Sequence, residues 1–244
     1  MRRIIGYRYV EWYDIAMISV KRVSSFLLVA FVPLLLISSS ARFVINFPAF
    51  YNYAFERHQI AEYTGIHNDE LRVIGERIRK YFNNKEKDLV IKTFTNGVLK
   101  ESLFNEKEII HMEDVKHLVR LLYLVNEISA VYILSFAGVA LYFGGLKYRV
   151  KLTNFLRIGT LITFISILFT GLLVAFSFNR LFLVFHIVSF SNDFWQLDPR
   201  HDYLIAIFPQ GFFFEATLLI AVISLVASFV LWLLTKLLSN SLQS

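Results

Sequence analysis

The chain contains six histidines and no cysteine. Disulfides, thiolate nucleophiles, zinc-thiolate sites and iron-sulfur clusters are therefore excluded, and its chemistry rests on oxygen and nitrogen groups. His111 lies in LFNEKEIIHMEDVKHLVRLLYLV. At about 100° per residue, Phe104, His111, Val115, Leu118 and Leu122 share an apolar helical stripe, whereas His117 is rotated roughly 120° away. From this pattern His111 is either a satisfied core histidine or a group held for chemistry. Glu106, Glu108, Glu113 and Asp114 read as a solvated face complementing a helix N-terminus, and Glu108, three residues before His111, is spaced to touch it. His111 and His117 stand at i, i+6 and cannot converge on one ion, and there is no HExxH pattern, so no metal ligands are expected. The absence of a G-x-S-x-G elbow leaves a serine hydrolase of that type without support.

A second group occupies FHIVSFSNDFWQLDPRHDYLIAIFPQGFFF, Phe185 to Phe214. Phe182, Phe185, Phe190, Phe194 and Trp195 fit an interfacial aromatic belt, with turns at Asp198-Pro199 and Pro209-Gln210-Gly211. A belt leaves His186, Asn192, Asp193, Asp198, His201 and Asp202 unexplained. Ionisable groups beside hydrocarbon are costly, so these residues either serve a function or cap helices. Asn192, Asp193 and Asp198 are candidates for orienting a histidine or binding a substrate, with turn-and-cap roles as the alternative. His58, His67, His117 and His201 read as surface residues.

The elements that must position these groups are membrane spans. With 244 residues, 56% hydrophobic and 18% charged, the chain is too apolar for an ordinary soluble domain. Four segments meet the requirement of about twenty apolar residues for a hydrocarbon core of roughly 30 Å: residues 23–45, 121–146, 152–178 and 213–238. VSSFLLVAFVPLLLISSSARFVI, the first, also has a secretory-signal reading, with an apolar core at Leu27 to Ile37 and SSSA as a cleavage site; on either reading the segment after it lies outside. The net charge of +6 does not imply nucleic acid, because the basic residues cluster at span ends rather than on one face.

Arg2, Arg3, Arg8, Lys21 and Arg22 precede the first span, and Lys147, Arg149, Lys151 and Arg157 mark the short connection between the second and third. By the positive-inside rule both are cytoplasmic. The expected organisation is a cytoplasmic N-terminus at 1–22, an extracytoplasmic segment at 46–120, a cytoplasmic loop at 147–151, a second outer segment at 179–212 and a cytoplasmic tail at 239–244. The fold class is an all-α membrane protein of four transmembrane helices, capped by the 1–2 and 3–4 loops. In the first outer segment, QIAEYTGIHNDELRVIGERIRKYFNNK predicts a surface helix capped at Asn68 or Asp69 and ending near Asn83-Asn84. DLVIKTF reads as a short strand or extended piece before a turn at Asn96-Gly97.

Two blocks carry a resemblance. FNEKEIIHMEDVK (Phe104 to Lys116) and F-H-x-x-x-F-S-N-D-F-W-x-L-D-P followed by D-x-L-I-x-x-F-P-x-G-F-F (Phe185 to Phe213) resemble the lipoprotein intramolecular transacylases, the Lit family of four-span bacterial membrane proteins. The resemblance is weakest between about Tyr53 and Val98, where this chain is long for the family. It implies an enzyme of the bacterial cytoplasmic membrane with its active site on the outer face. Its substrate is a diacylglyceryl-modified lipoprotein within membrane lipid, whose sn-2 acyl chain moves to the α-amino group of the same cysteine to give the lyso form. No cofactor is implied. The family's two catalytic histidines fall on His111 and His186. Phe185, Phe190, Phe194 and Trp195 then face acyl chains, with Glu108, Asn192, Asp193 and Asp198 binding or orienting. Competing readings are a lipid hydrolase or intermolecular acyltransferase using the same histidines, and a non-enzymatic membrane scaffold.

Overall fold

The structure is a computed structural model that describes the backbone of residues 2–143 and 145–241, and the side chains of residues 22–143, 145–146 and 148–240. The side chains of Arg2, Arg3, Arg8, Lys21 and Lys147, which enter the orientation argument, lie outside the described residues, as do residues 242–244 of the expected tail. Along the described residues run α1 (Arg2–Asn46), α2 (Pro48–Arg57), α3 (Ile60–Thr64), α4 (Asn68–Asn83), β1 (Thr93–Thr95), β2 (Val98–Lys100), α5 (Glu106–Phe143), α6 (Gly145–Ser189), α7 (Tyr203–Ile207) and α8 (Gln210–Ser241).

Four helical stretches are long and apolar enough to cross a membrane: Arg22–Asn46, Glu106–Phe143, Tyr148–Ser189 and Gln210–Asn240. Exposed Ile128, Val131 and Leu134 on α5, and Leu161, Ile165 and Leu168 on α6, give these helices the outward apolar surface that lipid requires. The 38 residues of α5 reach roughly 57 Å at 1.5 Å per residue, nearly twice the hydrocarbon thickness. Its charged first turns, Glu106 to Arg120, therefore have length to spare beyond a spanning segment. Helix α6 continues to Ser189, so His186 stands in a helical turn rather than in a loop, and α6 is interrupted at Ser177 (φ −148°, ψ 33°).

The chain divides into two compact units. In the unit formed by Met1–Leu36, Asn126–Ile165 and Leu225–Ser244, small residues and buried hydroxyls join helices, as is usual where lipid removes the hydrophobic drive for association. Gly159 on α6 admits Val32 of α1 so closely that a Cβ there would lie 2.5 Å from the Val32 Cβ. The Ser228 hydroxyl donates to the Thr160 carbonyl at 2.8 Å, and the Tyr132 hydroxyl to the Ser24 carbonyl at 2.8 Å.

The unit formed by Ile37–Val125 and Ser166–Ser224 holds the larger core. Tyr51, Ile74, Ile78, Leu89, Phe104, Ile207 and Phe212 are buried in it. The expected surface helix is α4, and the short α3 ahead of it, which that expectation lacks, is closed off at Gly65. This residue has φ +68°, and the Asn96 side chain fills its β position so tightly that a Cβ would meet Oδ1 at 2.1 Å. Helix α4 then starts after His67, whose ring accepts from the Asp69 N–H, so the cap is His67 rather than Asn68 or Asp69. Its end at Asn83 matches the sequence expectation. Strands β1 and β2 pair antiparallel around Asn96-Gly97, the one addition to an otherwise helical architecture among the described residues.

Candidate active site

Asn105 and Glu108 start α5 as a capping box: the Glu108 N–H donates to Asn105 Oδ1 at 3.1 Å, and the Asn105 N–H donates to Glu108 Oε2 at 2.7 Å. The other Glu108 oxygen accepts from the Leu204 N–H at 2.6 Å, and Asn105 Nδ2 donates to Asp202 Oδ1 at 2.8 Å, which fixes α7 against the start of α5. Glu108 is 1% exposed, and burial pushes its carboxyl up despite the two backbone donors that favour the charged form. Both of its oxygens are thus engaged in holding the fold, and the expected touch with His111 is replaced by these bonds.

One turn further along α5 stands His111, 7% exposed, and in the last turn of α6 stands His186, 8% exposed. Their ring centroids are 6.1 Å apart at an interplanar angle of 28°. The two residues, 75 positions apart in sequence, are brought together. Aromatic rings surround them. Phe190 lies 5.0 Å from His111 and 5.6 Å from His186, while Phe182, Phe185 and Trp195 lie 4.4, 5.4 and 5.1 Å from His186.

The two imidazoles differ in their partners. His186 Nδ1 lies 2.7 Å from the Phe182 carbonyl, an acceptor only, so Nδ1 carries the proton and Nε2 is left with the lone pair. His111 Nδ1 is buried without a hydrogen-bond partner. Burial is the main cause that pushes the His111 pKa down to about 4, assisted by its neighbour His186, which repels a second positive charge when protonated, and only partly opposed by Asp114. His111 is therefore a neutral imidazole over the physiological range.

Asn192, Asp193 and Asp198 do not hold the His186 tautomer. Asn192 Nδ2 donates to Asp114 Oδ2 at 2.8 Å, and its Oδ1 accepts from the Phe194 N–H at 3.1 Å. Asp193 Oδ1 accepts from Gln196 Nε2 at 2.8 Å. Asp198 is bound by the Arg200 guanidinium at 2.7 and 3.0 Å, which holds its carboxyl well below the usual carboxylate range. Of the loop candidates, Trp195 contacts the His186 ring, whereas Asp198 contacts the exposed His201 at 3.4 Å. The loop is anchored by Lys107 to the Gln196 carbonyl, by the Asp198 N–H to Asp202 Oδ2 at 2.8 Å, and by the Tyr63 hydroxyl to the Pro199 carbonyl at 3.3 Å.

Two groups beside the pair carry no signal, or a weak one, in the sequence. Asp114 reads as solvated face, yet it is half-buried and bonded to Asn192; its i+3 spacing from His111 was the available signal. The Phe182 carbonyl is main chain and leaves no residue-type signal. Of the histidines read as surface, His67, His117 and His201 have side chains 79%, 65% and 76% exposed. His58 does not: its side chain is 24% exposed, packed on Gly211 and 3.4 Å from Glu215 Oε2.

Four long apolar helices, and a buried histidine pair walled by aromatic rings, define an all-helical integral membrane protein built around an imidazole site. The chain belongs to the lipoprotein intramolecular transacylase family, Lit, whose sequence profile matches residues 26–213. The in meso structure of the membrane integral lipoprotein intramolecular transacylase Lit from Bacillus cereus superposes with a TM-score of 0.77 at 21% identity, over 91% of this chain and 97% of that one. A variant of the Bacillus cereus protein with a histidine-to-arginine mutation gives a TM-score of 0.72 at 22% identity, over 96% and 97% of the two chains. At these identities the likeness speaks to the fold. An uncharacterized protein of Aquifex aeolicus (strain VF5) is 29% identical over 121 residues, 50% of this chain and 51% of that one, so the match spans about half the length of this curated relative.

Proposed function

We propose that this chain moves an acyl group within one lipoprotein molecule, from the sn-2 ester of the diacylglyceryl-cysteine to the free α-amino group of that cysteine, leaving the lyso form. Family membership supports the reaction class. The observation that carries the residue assignment is the His111–His186 pair, with centroids 6.1 Å apart inside an aromatic wall. A histidine is also the residue replaced in the Bacillus cereus variants, with arginine in one and alanine in another.

In this mechanism His186 is the base. Its Nδ1–H is held by the Phe182 carbonyl, so Nε2 takes the proton of the attacking amine. It stands in the last turn of α6, where a positive charge faces the negative end of the helix. His111, kept neutral by burial, donates an N–H to the ester carbonyl and stabilises the charge that develops there. The N–C bond forms, the C–O bond to glycerol breaks, and His186 returns its proton to the leaving glycerol oxygen. No covalent acyl-enzyme is required. Because ester and amine belong to one molecule, holding them in register supplies several kcal/mol of the barrier reduction, on the order of what positioned intramolecular reactions gain. Phe185, Phe190 and Trp195 supply an apolar surface for acyl chains.

The same proposal puts the N- and C-terminal ends in the bacterial cytoplasm and residues 46–120 and 179–212 outside, since the basic residues near the first span and between the second and third mark the inner side. Mass spectrometry of a lipoprotein N-terminus after co-expression tests the reaction. A conserved acyl count with one chain moved to nitrogen is expected, whereas loss of a chain would establish hydrolysis and an unaltered lipoprotein would favour a scaffold.

A further inference from the structure

An amine acceptor poses a problem that the histidine pair does not solve. With a pKa near 8, an α-amino group arrives mostly as ammonium at neutral pH. The rings around the site carry no charge, and a cation entering an apolar enclosure loses hydration that must be replaced. The acids nearby are mostly engaged. Glu108 uses both oxygens on the N–H groups of Asn105 and Leu204, Asp202 binds Asn105 Nδ2 and the Asp198 N–H, and Asp198 is bound by Arg200. Asp193 is exposed and tied to Gln196.

Asp114 differs. It comes three residues after His111 on α5, hence on the same face one turn along. One of its oxygens is oriented by Asn192 Nδ2 at 2.8 Å, and no hydrogen bond to the other occurs among the described residues. Asn192 lies in the short segment between Phe190 and Trp195, the rings packed on the histidines, and its own Oδ1 is fixed by the Phe194 N–H. The carboxylate is thus aimed by the same loop that walls the site.

We propose that Asp114 binds the α-ammonium of the lipoprotein cysteine, with Asn192 as the positioning residue that leaves one carboxylate oxygen for it. This inference rests on the transacylase function proposed for the chain. A charge-assisted hydrogen bond from the ammonium to the open oxygen replaces lost hydration and sets the nitrogen beside the histidines. The ammonium passes one proton through His186 Nε2 to solvent, the neutral amine attacks, and the freed Nε2 takes the second proton and returns it to the leaving glycerol oxygen, while Asp114 stays ionised. The electrostatic influence of Asp114 on His111 agrees with this proximity.

The test uses the full-length wild-type protein in lipid or detergent with two unreactive probes: a diether analogue of the diacylglyceryl-cysteine peptide with a free amine, and its N-acetylated counterpart. Inhibition constants are measured against turnover of the ester substrate. Near pH 7 the free-amine probe should bind about tenfold or more tightly than the acetylated one, as a charge-assisted hydrogen bond predicts. Near pH 9.5, where the amine is neutral, the preference should shrink. Asp114→Asn should raise KM near pH 7 more than near pH 9.5, and Asp114→Glu should restore part of the loss. Equal binding of the two probes, or a preference that persists unchanged at the higher pH, overturns the assignment without relying on any variant. Wild-type protein that forms no lyso product sinks the transacylase function itself; wild-type protein that forms it without amine preference sinks only the role of Asp114.

Discussion

His111 and His186 face one another with ring centroids 6.1 Å apart and planes inclined by 28°, one from the beginning of α5 and one from the end of α6. Two imidazoles so placed are unequal, because one is bonded to a main-chain carbonyl and the other is buried without a partner at Nδ1. In the proposed mechanism that inequality supplies a base and a neutral donor from a single residue type.

Removing either imidazole should therefore cost about 10²–10⁴-fold in lyso-form production, the usual range for a general acid or base. His111→Ala and His186→Ala are expected to insert and express, while His67→Ala and His117→Ala, made at exposed positions, remain near wild type. Quantitative mass spectrometry of the lipoprotein product checks this, and wild-type turnover by either pair variant would contradict the mechanism.

The depressed pKa of His111 also has a stability consequence. Its folded value of about 4 lies below the ordinary histidine value of 6.5, so the unfolded chain binds more protons between them. The stabilisation is present above pH 6.5 and is lost as pH falls towards 4, on the order of 3 kcal/mol for a gap of this size. Thermal unfolding across this interval should show a steeper acid loss for wild type than for His111→Asn, and parallel curves would refute the assignment.

Glu108→Ala should behave as a folding defect. It strands the buried N–H of Leu204 and frees the part-buried N–H of Asn105, costing about 1–3 kcal/mol, mostly for the buried donor. The unfolding temperature should fall, while the fraction that remains folded keeps wild-type kcat. A large loss of kcat in fully folded protein would return Glu108 to the chemistry.

Orientation is accessible through single cysteines in a chain that naturally has none. Exposed Lys85 and Ser191 are suitable sites, since neither side chain makes a hydrogen bond or ion pair among the described residues. Lys85→Cys and Ser191→Cys should react with an impermeant thiol reagent from outside, and Tyr148→Cys should not. The reverse pattern would turn the proposed topology over.

Gly65→Ala should lower stability by about 1–3 kcal/mol, through positive φ and the clash with Asn96. Urea or thermal unfolding measures it, and an unchanged midpoint would remove the reason given for the break between α3 and α4.

The four long apolar helices were legible because hydrocarbon tolerates so few charges that a span stands out in composition alone. His111 and His186 were legible as candidates because each interrupts an apolar pattern, although their proximity across 75 positions came only with the resemblance and the fold. The N-x-x-E pattern at Asn105 and Glu108 is local, but the bond from Leu204 to Glu108 spans 96 positions and has no local trace. The same holds for Asn192 and Asp114, 78 positions apart. His58 was misread because its burial comes from Gly211, on a distant helix. Pattern reveals which face a residue occupies, whereas partners across the fold depend on packing that pattern does not encode.

The bond between His186 and Phe182 bears on how such a site tolerates mutation. An imidazole oriented by a carboxylate side chain loses its orientation when one codon changes. Here the acceptor is a peptide oxygen, present whatever residue occupies position 182, so the tautomer is kept even where the ring packed on His186 changes. Alanine scanning is blind to this support. Only a change that bends the helix axis, such as a proline in the last turns of α6, reaches it, which makes the most important neighbour of His186 the one that sequence variation is least able to remove.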